Sequence, residues 1–120
     1  MYQHINHATM VTVLEEARIP FLREPFVADI TTIGLLIHQV NILYKGQLRL
    51  VDSPLQVTMW SKRVRAVDFT IGYEVRSVGA PPDSKPAVMA ETQLAAVHIE
   101  EQRLQRLSSA QRDYLQSWMR

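Results

Sequence analysis

Asp68-Phe69-Thr70-Ile71-Gly72-Tyr73-Glu74-Val75-Arg76 carries the cleanest alternation in the chain. Phe69, Ile71, Tyr73 and Val75 fall on one face of an extended chain, opposite Asp68, Thr70, Glu74 and Arg76. A two-residue period of this kind describes a strand with one face in a core. The pattern repeats on both sides of it. Residues 55–67 read as a long strand, with Leu55, Val57 and Met59 alternating against Gln56 and Thr58. Ala80-Pro81-Pro82-Asp83-Ser84 is a surface loop by its turn residues. Residues 87–99 then read as the last strand, with Val88, Ala90, Leu94 and Ala96 on one face and Glu91, Gln93, Val97 and Ile99 on the other. Farther upstream, residues 35–44 read as a strand whose Leu36, Val40, Ile42 and Tyr44 share a face, and Lys45-Gly46 opens the connection that follows. No helical period interrupts the strands, so an antiparallel sheet in an α+β domain is expected.

Helical periodicity lies at the two ends. In residues 6–23, Met10, Val13, Leu14, Ala17 and Phe21 recur at helix spacing, and Val11 and Leu22 widen the stripe. Asn6 is a good N-cap. Pro20 predicts a kink or an end one turn early, and Pro25 predicts an end near Glu24. Ser108-Ser109-Ala110-Gln111 has the form of a capping box and opens a short helix carrying Tyr114, Leu115, Trp118 and Met119. The order is helix, four strands, helix. A twisted sheet can curl around a helix that is apolar over much of its surface.

A length of 120 residues is one domain's worth, and 47% hydrophobic with 21% charged residues is ordinary for a globular protein. A net charge of +1 gives no electrostatic argument for nucleic acid or a membrane surface. The absence of cysteine removes disulfides, thiolate zinc sites and thiol nucleophiles. No apolar run approaches spanning length, and no basic stretch followed by an apolar one opens the chain, so the cytoplasm is the expected location.

The chemistry concentrates at the start of the first helix. A helix N-terminus presents unpaired N–H groups and about half a positive charge, which suit a carbonyl oxygen becoming an oxyanion. His4 precedes that end and His7 follows it. The spacing alone leaves two readings open: a capped helix with ordinary polar neighbours, or a catalytic pair. His4 and His7 have no carboxylate placed to complete a metal set, so no metal is expected. His38 and His98 lie on strands and read as residues satisfied by sheet neighbours or water. Glu15 and Arg18 are spaced to pair on a helix surface. A catalytic Glu15 is the sharper reading, though nine residues of rise put it ~13 Å from Asn6. Lys62, Arg63 and Arg65 form a basic cluster that is either a solvated face or a partner for nucleotide phosphates. There is no nucleophile-elbow serine motif, phosphate loop or dinucleotide fingerprint, and 4 glycines make phosphate-cradling loops improbable.

The run His4-Ile5-Asn6-His7-Ala8-Thr9-Met10, followed by Leu14-Glu15-Glu16-Ala17-Arg18, resembles the 4-hydroxybenzoyl-CoA thioesterase family of hotdog proteins. Tyr44-Lys45-Gly46-Gln47-Leu48-Arg49-Leu50-Val51-Asp52 resembles the family's second-strand ending and Gly-Asp turn, with Val51 in place of Gly. The resemblance covers nearly the whole chain. It implies a hotdog fold, an antiparallel sheet wrapped around a central helix, and hydrolysis of a fatty or aromatic acyl-CoA without a cofactor. It implies that the His7 N–H polarises the thioester carbonyl and that the His7 side chain assists, with Asn6 and His4 beside it. Met10, with Val13 and Leu14, would line the acyl tunnel. Glu15, Lys62, Arg63 and Arg65 would meet the rest of the substrate. The family works as a homodimer or homotetramer with sites between subunits.

The family's catalytic Asp falls four residues before His4, one position before Met1, and the family's first strand falls upstream as well. The expectation is a protein that begins farther upstream. The alternative is a chain that lacks the Asp and holds acyl-CoA as a non-catalytic hotdog module. A hotdog dehydratase or hydratase needs a Gly-rich helix approach, and no such stretch is present.

Overall fold

The computed structural model describes residues 7–26, 33–46, 54–81 and 83–120. The elements are α1 (His7–Phe21), α2 (Arg23–Phe26), β1 (Ile33–Tyr44), β2 (Leu55–Val64), β3 (Asp68–Ser77), β4 (Val88–His98), β5 (Arg103–Leu104) and α3 (Ser109–Ser117). The expected helix, strands and helix are all present, with α2 and β5 added. The sheet runs in the order β1-β4-β3-β2, every adjacent pair antiparallel, and β5 pairs with the end of β4.

The helix boundaries differ from expectation in a way that proline chemistry explains. α1 continues through Pro20 to Phe21, and the Leu22 N–H still reaches the Arg18 carbonyl at 2.9 Å. Pro20 deletes one donor but leaves the next turn intact, so the break comes at Leu22. Pro25 sits inside the four-residue α2. In a first turn no intrahelical donor is needed, so proline is tolerated there and the ending moves from Glu24 to Phe26. At the other end of the chain the capping box forms as expected. The Gln111 N–H donates to Ser108 Oγ at 3.1 Å, and the Ser108 N–H donates to Gln111 Oε1 at 2.9 Å.

The core lies between α1 and one face of the sheet. Phe69, Ile71, Tyr73 and Val75 of β3 are fully buried, and Val88, Ala90, Leu94 and Ala96 of β4 line the same layer with Met10 and Leu14 of α1. Burying side chains of this size stabilises by about 1.5–3 kcal/mol each. β2 is shorter than expected. It ends at Val64, where Arg65, Ala66 and Val67 turn the chain into β3, and the Arg65 N–H bonds the Asp68 carbonyl at 2.8 Å.

β1 departs furthest from its expected face. Its register against β4 shifts between Ile37 and Gln39, leaving His38 as the extra residue of a bulge. A bulge reverses the inward parity. Leu35 and Ile37 therefore share the inner face with Val40, Ile42 and Tyr44, opposite Ala96, Leu94, Thr92, Ala90 and Val88 of β4. Leu36, expected with that set, is opposite Ala95 on the outer face and is 58% exposed. A second shift, between Ser61 and Arg63, places Lys62 at a bulge in β2.

α3 closes the other edge. Tyr114 Oη donates to the Phe21 carbonyl, and the Phe21 ring lies 6.0 Å from the Trp118 ring. The Ser61 N–H then bonds the Trp118 carbonyl at 3.0 Å, so the C-terminal residues run beside β2.

Candidate active site

α1 opens at His7, so the His7 and Ala8 N–H groups stand where a helix has no internal acceptor for them. The His7 ring is exposed and lies against the end of β1. Its Nδ1 is 2.9 Å from Tyr44 Oη, with ring centroids 6.0 Å apart. Partial desolvation pushes the Tyr44 phenol above its ordinary value. The helix start, an imidazole and a phenol are thus gathered at one end of the inner face. Tyr44 is 37 residues from His7 in the chain, and no linear spacing announces the pair. His4 and Asn6 lie outside the described residues.

Farther along α1 the side chains divide between core and solvent. Met10 is only 1% exposed and belongs to the core under the sheet, as does Leu14. Glu15 and Arg18 do not pair on the helix surface, because Arg18 turns inward. Arg18 is buried, and its Nη1 donates to Tyr73 Oη at 3.1 Å and to Thr92 Oγ1 at 3.4 Å. Glu15 stays exposed. An i,i+3 spacing permits an ion pair but cannot outweigh two acceptors waiting inside the sheet. Both residues line an apolar cavity of about 430 Å³ that includes Ile19, Leu22, Phe26 and Leu35. The cavity sits at the far end of α1, eleven residues and ~16 Å from His7.

The basic cluster lies on the opposite side of the sheet from α1. Lys62 and Arg63 line a smaller cleft of about 180 Å³ on the outer face with Gln39, Asn41, Glu91 and Gln93. Lys62 Nζ is 2.5 Å from Glu91, and Arg65 pairs with Asp68 at 3.1 Å. Arg63 joins no ion pair among the described residues. Within one chain, the sheet separates this cluster from His7. His98 Nδ1 accepts the Glu101 N–H at 3.1 Å, a turn contact of the kind expected for a satisfied strand histidine. His38 is exposed at the bulge. Among the described residues no group of three or more His, Cys, Asp or Glu is placed to hold a metal, and no helix is long and apolar enough to cross a membrane.

No protein-family model matches the chain, and no curated protein is similar enough to match it. Solved structures do. The probable thioesterase YbaW from Escherichia coli superposes with a TM-score of 0.81 at 21% identity, over 100% of this chain and 90% of that one. The PA5185 protein from Pseudomonas aeruginosa gives 0.84 at 15% identity, over 99% and 82%. A thioesterase-superfamily protein from Jannaschia gives 0.77 at 18% identity, over 94% and 70%. At these identities the likeness concerns architecture. With a long antiparallel sheet packed on α1 and these structures superposing along nearly its whole length, the chain has the hotdog fold, an α+β architecture.

Proposed function

We propose that the protein is an acyl-CoA thioester hydrolase whose site is the N-terminal end of α1. One observation carries this reading: His7 begins the helix and its Nδ1 meets Tyr44 Oη at 2.9 Å. The names of the neighbouring structures, and the sequence's resemblance to 4-hydroxybenzoyl-CoA thioesterases, support it. In the tautomer where Nδ1–H donates to Tyr44 Oη, Nε2 is left as an acceptor. Nε2 then takes a proton from a water molecule as its oxygen attacks the thioester carbonyl carbon. The carbonyl oxygen gains the negative charge and is held by N–H groups at the helix start. Collapse of the tetrahedral intermediate breaks the C–S bond and releases coenzyme A thiolate, which needs little help from a general acid. Tyr44 is a positioning residue in this scheme. The carboxylate that the resemblance implies, together with Asn6 and His4, would share the activation of water.

The functional unit in this reading is a homodimer or homotetramer. β1 offers twelve residues of strand with β4 as its one partner among the described residues. Its Leu36, Ile37, Val40, Leu43 and Tyr44 are each at least 40% exposed. A long apolar edge is an aggregation hazard unless something covers it. A second copy would also bring another outer face into reach, where Arg63 is the best placed of the basic residues to meet a nucleotide phosphate. The substrate in this reading is a fatty or aromatic acyl-CoA. Thiol release from short, long and aromatic acyl-CoAs tests the reading. His7→Ala should lower kcat/KM by about 10²-fold or more. Tight retention of acyl-CoA with no thiol released, by this chain and by one extended upstream, would instead identify a binding module.

A further inference from the structure

We propose that the cavity beside Arg18 binds a linear aliphatic chain that ends in a carboxylate. Arg18 is 7% exposed, yet it joins none of the ion pairs among the described residues. A guanidinium carries five N–H donors. Only Nη1 is used among the described residues, and both of its acceptors are neutral hydroxyls, Tyr73 Oη and Thr92 Oγ1. A buried cation without a counter-charge is strongly unfavourable unless an anion completes it. The same side chain lines the 430 Å³ cavity, a volume in the range of small-molecule sites. The remaining wall is mostly apolar, with Ile19, Leu22, Phe26, Leu35 and Leu94. Arg18 marks the place for one planar anionic group, and that wall the place for the hydrocarbon behind it. Glu15 shares the cavity but is solvent-exposed and joins no ion pair among the described residues, so it does not neutralise Arg18.

The chemistry is shared by a free fatty acid and by the far end of a dicarboxylic acyl thioester. The second source rests on the thioester-hydrolase reading; the first does not. Calorimetry with octanoate and octanol addresses the first source without any turnover. Octanoate should bind at least about tenfold more tightly than octanol, the scale of a charge-assisted hydrogen bond. Arg18→Met, which replaces the cation by an apolar side chain of similar length, should erase that preference. Leu22→Trp, which fills the cavity from its partly exposed wall, should remove octanoate binding with Arg18 still in place. Hydrolysis of a sixteen-carbon acyl-CoA with and without a terminal carboxylate addresses the second source, since such a chain is long enough to run from His7 to Arg18. An Arg18-dependent preference for the carboxylated thioester assigns the site to the substrate's far end. Octanoate selectivity without that preference assigns it to a free acid. Equal binding of octanoate and octanol together with no Arg18-dependent preference between the thioesters overturns the proposal, as does octanoate binding that survives Leu22→Trp. If no thioester is hydrolysed, the enzymatic reading falls while the calorimetric result stands.

Discussion

β3 and β1 both announce themselves by apolar alternation, yet they end in opposite situations. β3 lies between β2 and β4, and its Phe69, Ile71, Tyr73 and Val75 are all fully buried. Its outer side is sheltered too: Thr70 is 8% exposed, and the Trp60 ring lies across Gly72. Among the described residues β1 has one neighbour, with a bulge at His38 and apolar side chains left in solvent on both faces. Alternation therefore reports which side chains share a face. Whether that face is buried depends on what the strand packs against. The candidate functional features gather at the less buried strand, with Tyr44 at its end and Leu35 and Ile37 in the wall of the Arg18 cavity. A fully packed strand has no room for a ligand.

The contrast can be broken from the β3 side first. Phe69→Ala should cost about 3–5 kcal/mol in chemical denaturation, because a large side chain leaves a cavity in the core. A loss below about 1 kcal/mol would mean that β3 is not the packing centre. Tyr73→Phe should cost about 1.5–3 kcal/mol, since it strips one acceptor from the buried Arg18 cation. Burial raises the Tyr73 phenol above its ordinary value of 10.0, while the Arg18 hydrogen bond and charge pull it back. A raised folded value means its contribution is complete below pH 10 and is lost as the pH climbs through the folded value, so Tyr73→Phe should flatten the alkaline limb of the stability profile. Gly72→Ala should cost about 1–3 kcal/mol. Its Cβ would come within 2.6 Å of the Trp60 ring, which Arg120 stacks upon at 4.0 Å from the centroid.

The β1 side should respond least at low protein concentration. Leu43→Ala should change stability by no more than about 0.5 kcal/mol there, as expected for an exposed position. If its cost grows with protein concentration, a second copy covers β1. Val40→Lys examined by light scattering sharpens the same point, because a charge on that strand should shift an oligomer toward the monomer. An unchanged mass would show that assembly does not use Val40.

Much of the architecture was legible because it rests on local rules. The β3 and β4 faces follow from period two, the α3 start from Ser108 and Gln111, and α1 from its apolar stripe. The register shift in β1 was not legible. Nothing in Ile37-His38-Gln39 announces a bulge, and one extra residue moves Leu36 to the outer face. The candidate site divided in the same way. His7 was marked by its place at a helix start, whereas Tyr44 became its partner only when the end of β1 met the start of α1. Arg18 was misread as half of a surface pair because an i,i+3 spacing is visible in the chain and an acceptor 55 residues away is not.

The sequence by itself determined the types and order of the six main elements and marked the helix start proposed to polarise a carbonyl. Periodicity and capping act over a few residues, so the chain displays them directly. Tertiary structure alone decided that Arg18 is buried beside an apolar cavity, that Tyr44 holds His7, and that the basic cluster lies across the sheet from both. Each of these depends on strand register and on which face meets the helix. Those are set by the packing of the whole core.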